Sequence, residues 1–565
     1  MHRSQRLSRL ITMVLSCVAL ACQDTVTPGA PADPPGDITV TYLCGNNFDI
    51  RNAGTKAATA HYVVLGTTES GDLLLPGGLA GVPSITRLTT LERGSLRISL
   101  GDWETETVEN GSQTCPPNEL DQPEASSGQW TRPLPWPHVA VHLHLLRNGQ
   151  VLSWGRQGAP QLYDPVEGTF SEVPSSTHLF CAGHAFLPDG RLLVSGGHLD
   201  DRKGLPDANV FDHSTGSWIP IQQMSYARWY PTNTTLANGE MLSLAGTDET
   251  GKDVEVPEVW NGSSWRSLTG AARRLPYYPR TFLAPNGLVF YAGELEQSAY
   301  LDPSGDGRWI PVATSLYGRR DYGSAVMYAP GKVMILGGSD PPDGEPTSSV
   351  ELIDLNETAP RWRYTQPMSH ARRHLNATLL LDGQVLVTGG TRSAGFSDRS
   401  GAVHAAELWD PAKEEWTLLA DNQVSRVYHS TTLLLPDGRV LHAGSGDGPG
   451  VPRELTAEFF SPPYLFWGAR PVIDDVPETI SYGQLFAIAT PDAGQVIRVT
   501  FLRLPSVTHA FDQSQRFMEL AFRRTAGGLT VTGPTANVVA PPGPYLLAVV
   551  NSAGIPSVAR ILELR

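Results

Sequence analysis

Hydrophobic and polar positions divide the chain into four stretches. Arg3, Arg6 and Arg9 precede an apolar run over residues 10–21 that ends at Cys22, a pattern that predicts an export signal too short for a permanent membrane-spanning helix. After a Pro-, Gly- and Ala-rich tether at residues 23–37, apolar and polar positions alternate in short runs over 38–115, as in Ile38-Thr39-Val40-Thr41-Tyr42 and Leu96-Arg97-Ile98-Ser99-Leu100. Period-two alternation predicts a small β-sandwich, followed by a Pro-rich linker at 116–137. From 138 to 466 one unit recurs: an apolar run, a tight turn, a second apolar run, a Gly or Gly-Gly, and a later aromatic-rich strand. From 469 to 565 the repeat stops, and short alternating strands such as Val496-Ile497-Arg498-Val499-Thr500 predict an immunoglobulin-like sandwich.

The turns of the repeat are Asn148-Gly149, Asp189-Gly190, Asn238-Gly239, Asn286-Gly287, Pro330-Gly331, Asp382-Gly383 and Asp437-Gly438, and successive turn glycines lie 41 to 55 residues apart. That spacing fits a four-stranded blade, and seven turns predict seven blades. The stretch resembles kelch repeats through its Gly-Gly pairs at 196–197, 337–338 and 389–390 and its fourth-strand tryptophans Trp218, Trp265, Trp309, Trp362 and Trp416. The expected fold is therefore all-β: a seven-bladed kelch-type β-propeller flanked by an N-terminal β-sandwich and a C-terminal immunoglobulin-like β-sandwich.

Composition narrows the picture. Only 18% of the 565 residues are charged, while 56 glycines and 46 prolines suit a turn-rich β protein. A net charge of −15, with no basic stripe longer than Arg319-Arg320 or Arg372-Arg373, excludes nucleic acid as a partner. Of the five cysteines, Cys17 falls within the signal. Cys22 ends Ala19-Leu20-Ala21-Cys22, which reads either as a lipobox that would lipidate Cys22 or as an ordinary signal-peptidase site that would leave the chain secreted. Cys44 and Cys115 bracket the N-terminal module, and an oxidising compartment favours a disulfide between them. Cys181 is left alone, either as an inert buried thiol or as a chemically used one.

A kelch propeller by itself implies no catalysis. Four segments do: His178-Leu-Phe-Cys181-Ala-Gly-His184, Arg228-Trp-Tyr230-Pro-Thr232, Arg426-Val-Tyr428-His429-Ser430 and Val507-Thr-His509-Ala-Phe511. In order and spacing they resemble the galactose oxidase and glyoxal oxidase family of radical copper oxidases, over residues from about 130 to the C-terminus. The resemblance implies one copper held by Tyr230, Tyr428, His429 and His509. It also implies a cofactor made by the protein itself, in which Cys181 is joined through its sulfur to the radical-bearing ring of Tyr230. Two imidazoles and two phenolates with an open position suit tetragonal Cu(II). A phenol titrating near 10 needs the metal's charge to ionise at neutral pH. In the family mechanism the axial tyrosine, here Tyr428, takes the substrate proton, and the radical tyrosine takes a hydrogen atom.

Taken singly, each of these residues also has a structural reading, Tyr230 and Tyr428 as core aromatics and His509 as a loop histidine. His142 and His144, on one face of a strand, read as structural, and His184 as a residue that orients the Cys181 loop. Arg280 has two readings, a substrate contact and a salt-bridged surface arginine. One departure weakens galactose specificity: where galactose oxidase places a tryptophan over its cross-link, this chain has Ala245-Gly246-Thr247-Asp248-Glu249, so any shield over the radical comes from elsewhere.

The expected function is a glyoxal-oxidase-like copper-radical oxidase that converts an aldehyde or primary alcohol, a glycan among the options, with reduction of O2 to H2O2. The chain would be an exported monomer, either a lipoprotein at the outer membrane or cell surface, touching the membrane only through its lipid, or secreted. The alternative is a non-catalytic kelch scaffold that binds a cell-surface polymer or protein. A sialidase-like hydrolase would need Asp-box repeats, which the sequence lacks.

Overall fold

The computed structural model describes residues 38–44, 47–53, 56, 58–75, 84–90, 94–100, 103–104, 107–109, 123–448 and 451–565. Cys22 and Cys115, and with them the expected lipid anchor and disulfide, lie outside the described residues. No helix among the described residues is long and apolar enough to cross a membrane.

Seven antiparallel sheets occupy the region of the repeat among the described residues, five of four strands, the first of six and the last of five, which is consistent with the seven blades that the turns predict. Their innermost strands are His142–Leu145, Gly183–Phe186, Thr232–Thr235, Arg280–Leu283, Ser324–Ala329, Asn376–Leu379 and Thr431–Leu434. These strands are buried and neighbour one another in a ring that returns from the seventh to the first, where Thr431 Oγ1 donates to Ala140 O at 2.6 Å. All seven turn glycines have φ between 73° and 87°, a left-handed conformation that costs glycine little, which is why Asn-Gly and Asp-Gly recur there.

The last sheet is closed by the start of the chain. Gln129–Trp130 and Leu134–Pro135, within the stretch expected as a linker, pair with Thr456–Ser461 and supply its outer edge. The outer tryptophans join neighbouring sheets. Trp218, Trp265, Trp309, Trp416 and Trp130 each donate the indole N–H to a backbone carbonyl of the preceding sheet or the connection after it, at 2.8–2.9 Å, and Trp362 donates to Ser298 Oγ.

Four sheets share a second device. Arg228, Arg320, Arg372 and Arg426 pair with Glu258, Glu351, Glu407 and Glu458 at 2.7–3.0 Å, with every carboxylate fully buried. Each guanidinium also donates to the carbonyl at the end of the second strand (Ala245, Gly337, Gly389, Gly444), and each glutamate accepts a backbone N–H just before its arginine.

The N-terminal module has two small sheets around Phe48, Ile50, Val64, Leu96 and Ile98. The C-terminal module is a two-sheet sandwich around Phe486, Val499, Phe501, Val531 and Leu547. From it Ser506–Thr508 leaves to pair with His142–His144, adding a strand at the centre of the ring. The glutamines beyond it satisfy inner-strand groups: Gln513 Oε1 accepts from the amides of His184 and Asn233, and Gln515 Oε1 accepts from Leu379 N.

Removing one partner of a buried pair leaves the other charge stranded. Glu458→Ala is expected to lower the unfolding free energy by about 3–5 kcal/mol, and the double change Arg426→Met/Glu458→Met to recover most of it. Denaturant unfolding of the three chains checks both statements.

Candidate active site

Six sheets present a residue in the left-handed region two positions before the inner strand begins: Cys181 (φ 64°), Tyr230 (68°), Tyr278 (45°), Tyr322 (50°), His374 (60°) and His429 (65°). A side chain there costs about 1–2 kcal/mol in backbone strain. The turn aims all six at one mouth of the ring. The hairpin from the C-terminal sandwich reaches the same place, with His509 at φ 46° in its turn. The four predicted ligand residues and Cys181, drawn from three sheets and the second domain, thus converge.

Tyr230 Oη lies 2.7 Å from Tyr428 Oη and 3.3 Å from His429 Nε2. The His509 ring sits 4.4 Å from that of Tyr230, 4.5 Å from His429 and 5.8 Å from Tyr428, centroid to centroid. All are buried. Hydrogen bonds fix the imidazole tautomers. His429 Nδ1–H donates to Gly446 O at 2.6 Å, which leaves the Nε2 lone pair facing Tyr230. Thr508 donates its hydroxyl to Val141 O, so His509 Nδ1–H donates to Thr508 Oγ1 at 2.7 Å. His509 Nε2 is then a buried lone pair with no hydrogen-bond partner. Burial pushes the His429 imidazole down to about 3 and His509 well below its ordinary value, so both stay neutral. Burial also raises the Tyr230 and Tyr428 phenols above their usual range, so neither ionises unless a positive charge is placed beside it.

Cys181 is the one free cysteine among the described residues and is fully buried. Burial raises its thiol, opposed by a hydrogen bond with the Tyr230 hydroxyl. The shield absent after Ala245 is present one residue before the tyrosine: the Trp229 ring lies on that of Tyr230 at 3.7 Å and 10°. Its indole N–H donates to His198 Nδ1 at 3.2 Å, which anchors the stack.

Tyr230 and His509 line a cavity of about 550 Å³. Arg280 lines it too, but is 5% exposed rather than on the surface, and is held by Glu294 at 3.4 Å and by Gly323 O. Tyr322, Arg319 and Asp321 add polar wall, and Phe396, packed on Tyr428 at 4.6 Å, adds an apolar one. His142, His144 and His184 lie buried beneath the site, bonded to one another and to Ser506 rather than to any of the four convergent side chains. Sequence reasoning missed Tyr322 and His374, although Arg320-Asp-Tyr322 and Arg372-Arg-His374 repeat the Arg-x-aromatic spacing of Arg228-Trp-Tyr230 and Arg426-Val-Tyr428.

Two family models match the second half of the chain: a glyoxal oxidase N-terminus over residues 344–464 and a galactose oxidase-like early set domain over 470–564. The class is thus the galactose oxidase-like fold, an all-β ring followed by an early-set sandwich. Aldehyde oxidase GLOX of Vitis pseudoreticulata is 30% identical over 446 residues, which cover 69% of this chain and 82% of that protein. A galactose oxidase of Gibberella zeae is 29% identical over 491 residues, 78% of this chain and 71% of the relative. A solved fungal alcohol oxidase of the AA5 family, in complex with copper, superposes with a TM-score of 0.72 at 26% identity over 78% of this chain and 100% of its own. The chain belongs to the galactose oxidase and glyoxal oxidase family.

The hairpin that carries His509 is capped by Asp512, whose Oδ1 accepts from the amides of Ser506, Ser514 and Gln515 at 2.9–3.1 Å. Burial nonetheless pushes its carboxyl up to about 6. The unfolded chain then loses this proton first, near pH 4, so the contribution of Asp512 to stability is fully present below that value and is lost as pH rises through 6, by on the order of 3 kcal/mol. Thermal unfolding of the metal-free chain from pH 4 to 7, beside Asp512→Asn, is expected to show the parent losing stability relative to the variant as pH rises, on top of the gain that the buried neutral histidines give to both chains.

Proposed function

We propose that the chain is a copper-radical oxidase that converts an aldehyde or primary alcohol to its oxidised product while reducing O2 to H2O2, with Tyr230, Tyr428, His429 and His509 holding the metal. The observation that carries this reading is the donor set: two imidazole Nε2 lone pairs, one without any partner, facing two phenols 2.7 Å apart in a buried cluster. Nitrogen and oxygen donors of this kind fit Cu(II), and the orphaned Nε2 of His509 is a polar atom whose burial is otherwise unfavourable. Copper bound there would supply a one-electron couple and the positive charge that lets buried phenols ionise.

The chain's own residues do the rest. Tyr428 Oη takes the hydroxyl proton of the alcohol or of the hydrated aldehyde, and Tyr230, joined to Cys181 and covered by Trp229, stores the second oxidising equivalent and removes the hydrogen atom. The cavity admits a small polar substrate, and Arg280, with its guanidinium already bound to Glu294, is a wall that orients it. The stretch Ala245-Gly246-Thr247-Asp248-Glu249 lacks the galactose oxidase tryptophan, which favours a glyoxal-oxidase-like aldehyde over galactose. The apolar segment before Cys22 supports export, with lipidation of Cys22 or free secretion as its two forms.

The purified chain, given copper and O2, is expected to bind one copper per chain, to release H2O2 with an aldehyde or primary alcohol, and to lose two hydrogens in mass as Cys181 joins Tyr230. His509→Ala is expected to lower turnover by more than about a thousandfold and to weaken copper binding, with the ring still folded. Copper-free peroxide production, or unchanged copper affinity in the variant, would overturn the assignment, and a chain that neither binds copper nor releases peroxide would favour the scaffold reading.

A further inference from the structure

The buried histidines beneath the site form one hydrogen-bonded line that ends on Cys181. His142 Nε2 lies 3.1 Å from the Cys181 amide, which can only donate. His142 Nε2 is therefore the acceptor, and its proton is on Nδ1, 3.0 Å from His184 Nε2. His184 in turn carries its proton on Nδ1 and donates to Ser506 Oγ at 2.6 Å. The Ser506 hydroxyl has two acceptors within reach, His144 Nδ1 at 3.0 Å and His184 O at 3.4 Å, and His144 ends the line with a buried Nε2 that has no partner. All four side chains are fully buried, and Trp154 lies against His142 and His144 with ring centroids 4.9 and 4.5 Å away. The tautomers of His142 and His184 follow from the Cys181 amide.

Cys181 is held on its other sides as well. Its carbonyl accepts from Tyr230 N at 2.8 Å, Tyr278 Oη donates to Ala182 O at 3.0 Å, and Trp154 donates to Leu179 O at 3.0 Å. Only the bond from His142 touches the cysteine's own amide from a side chain, and it does so at a residue whose left-handed φ is intrinsically unfavourable.

We propose that His142 is the positioning residue for Cys181: its Nε2, fixed as an acceptor by the His184–Ser506–His144 line, holds the cysteine backbone so that Sγ lies against the Tyr230 ring, and thereby sets the rate at which the two side chains join. This rests on the reading that Cys181 and Tyr230 form the cofactor. In the joining step the Sγ–H bond and one ring C–H bond of Tyr230 break, an Sγ–C bond forms, and the two electrons and two protons pass to one O2, which leaves as H2O2.

The test uses the full chain, produced without copper, then given Cu(II) and air, with the Cys181 peptide followed by mass and by thiol alkylation over time. Losing a buried hydrogen bond of this kind predicts that His142→Ala slows coupling roughly tenfold to a hundredfold. His142→Gln, whose amide oxygen can take the place of Nε2, is expected to regain most of the rate, a rescue that mere filling of space would not produce. If His142→Ala does not fold, Ser506→Ala serves instead, since it frees the His184 tautomer without opening a large void, and coupling is again expected to slow. Coupling at the parent rate in the folded Ala variant, or in Ser506→Ala where that serves instead, overturns the proposal, as does failure of Gln to improve on Ala. If the parent chain itself keeps an alkylatable Cys181 with copper and air, the cofactor reading fails and this inference falls with it.

Discussion

A guanidinium buried against a carboxylate is an expensive arrangement in the interior of a protein, and four sheets of this chain repeat it in the same form. Each arginine stands two residues before a side chain that faces the mouth of the ring: Tyr230, Tyr322, His374 and Tyr428. The arginine ties the first strand to the end of the second, and its glutamate, on the third strand, ties down the segment that leads in. The turn between them is thereby set from both sides. That constraint holds Tyr230, Tyr322 and His374 in left-handed conformations that L-residues avoid, and holds Tyr428 so that His429 adopts one. Without it the two phenols would have no reason to meet at 2.7 Å with their rings out of water.

The turn glycines and the aromatic outer strands made the ring legible, because each repeat carries its own punctuation. The chemistry was legible for a related reason: the segments around Cys181, Tyr230, Tyr428 and His509 are short and contiguous, so the family pattern survives in them. What could not be read depends on partners far away in sequence. Nothing near Gln129–Trp130 says that it completes a sheet with Phe460 and Ser461, more than three hundred residues on. The arginines are visible, but their glutamates lie some thirty residues later in unremarkable strands.

Trp229 shows a different kind of illegibility. Neighbours in a strand point to opposite faces, so a tryptophan next to Tyr230 would be expected to turn away from it. The left-handed φ at Tyr230 breaks that alternation and lays the two rings in contact. The stacking partner of Tyr230 is therefore its neighbour in sequence, and only the backbone conformation reveals it.

The last residue of the cluster, His509, comes from another domain, and the reason lies in the ring itself. Seven inner strands leave a core lined with backbone and hydroxyl groups that need partners. The hairpin from the C-terminal sandwich supplies them, through Gln513 to the second and third sheets, Gln515 to the sixth, and Ser506–Thr508 to the first. Having entered to satisfy those groups, it carries His509 to the mouth with Thr508 setting its tautomer, and carries Ser506 into the line of imidazoles that ends at Cys181. A single insertion thus closes the centre of the fold, contributes one imidazole to the cluster, and orders the groups that hold the cysteine. The site is built at the place where two domains satisfy each other's polar atoms, so it exists only when both are folded.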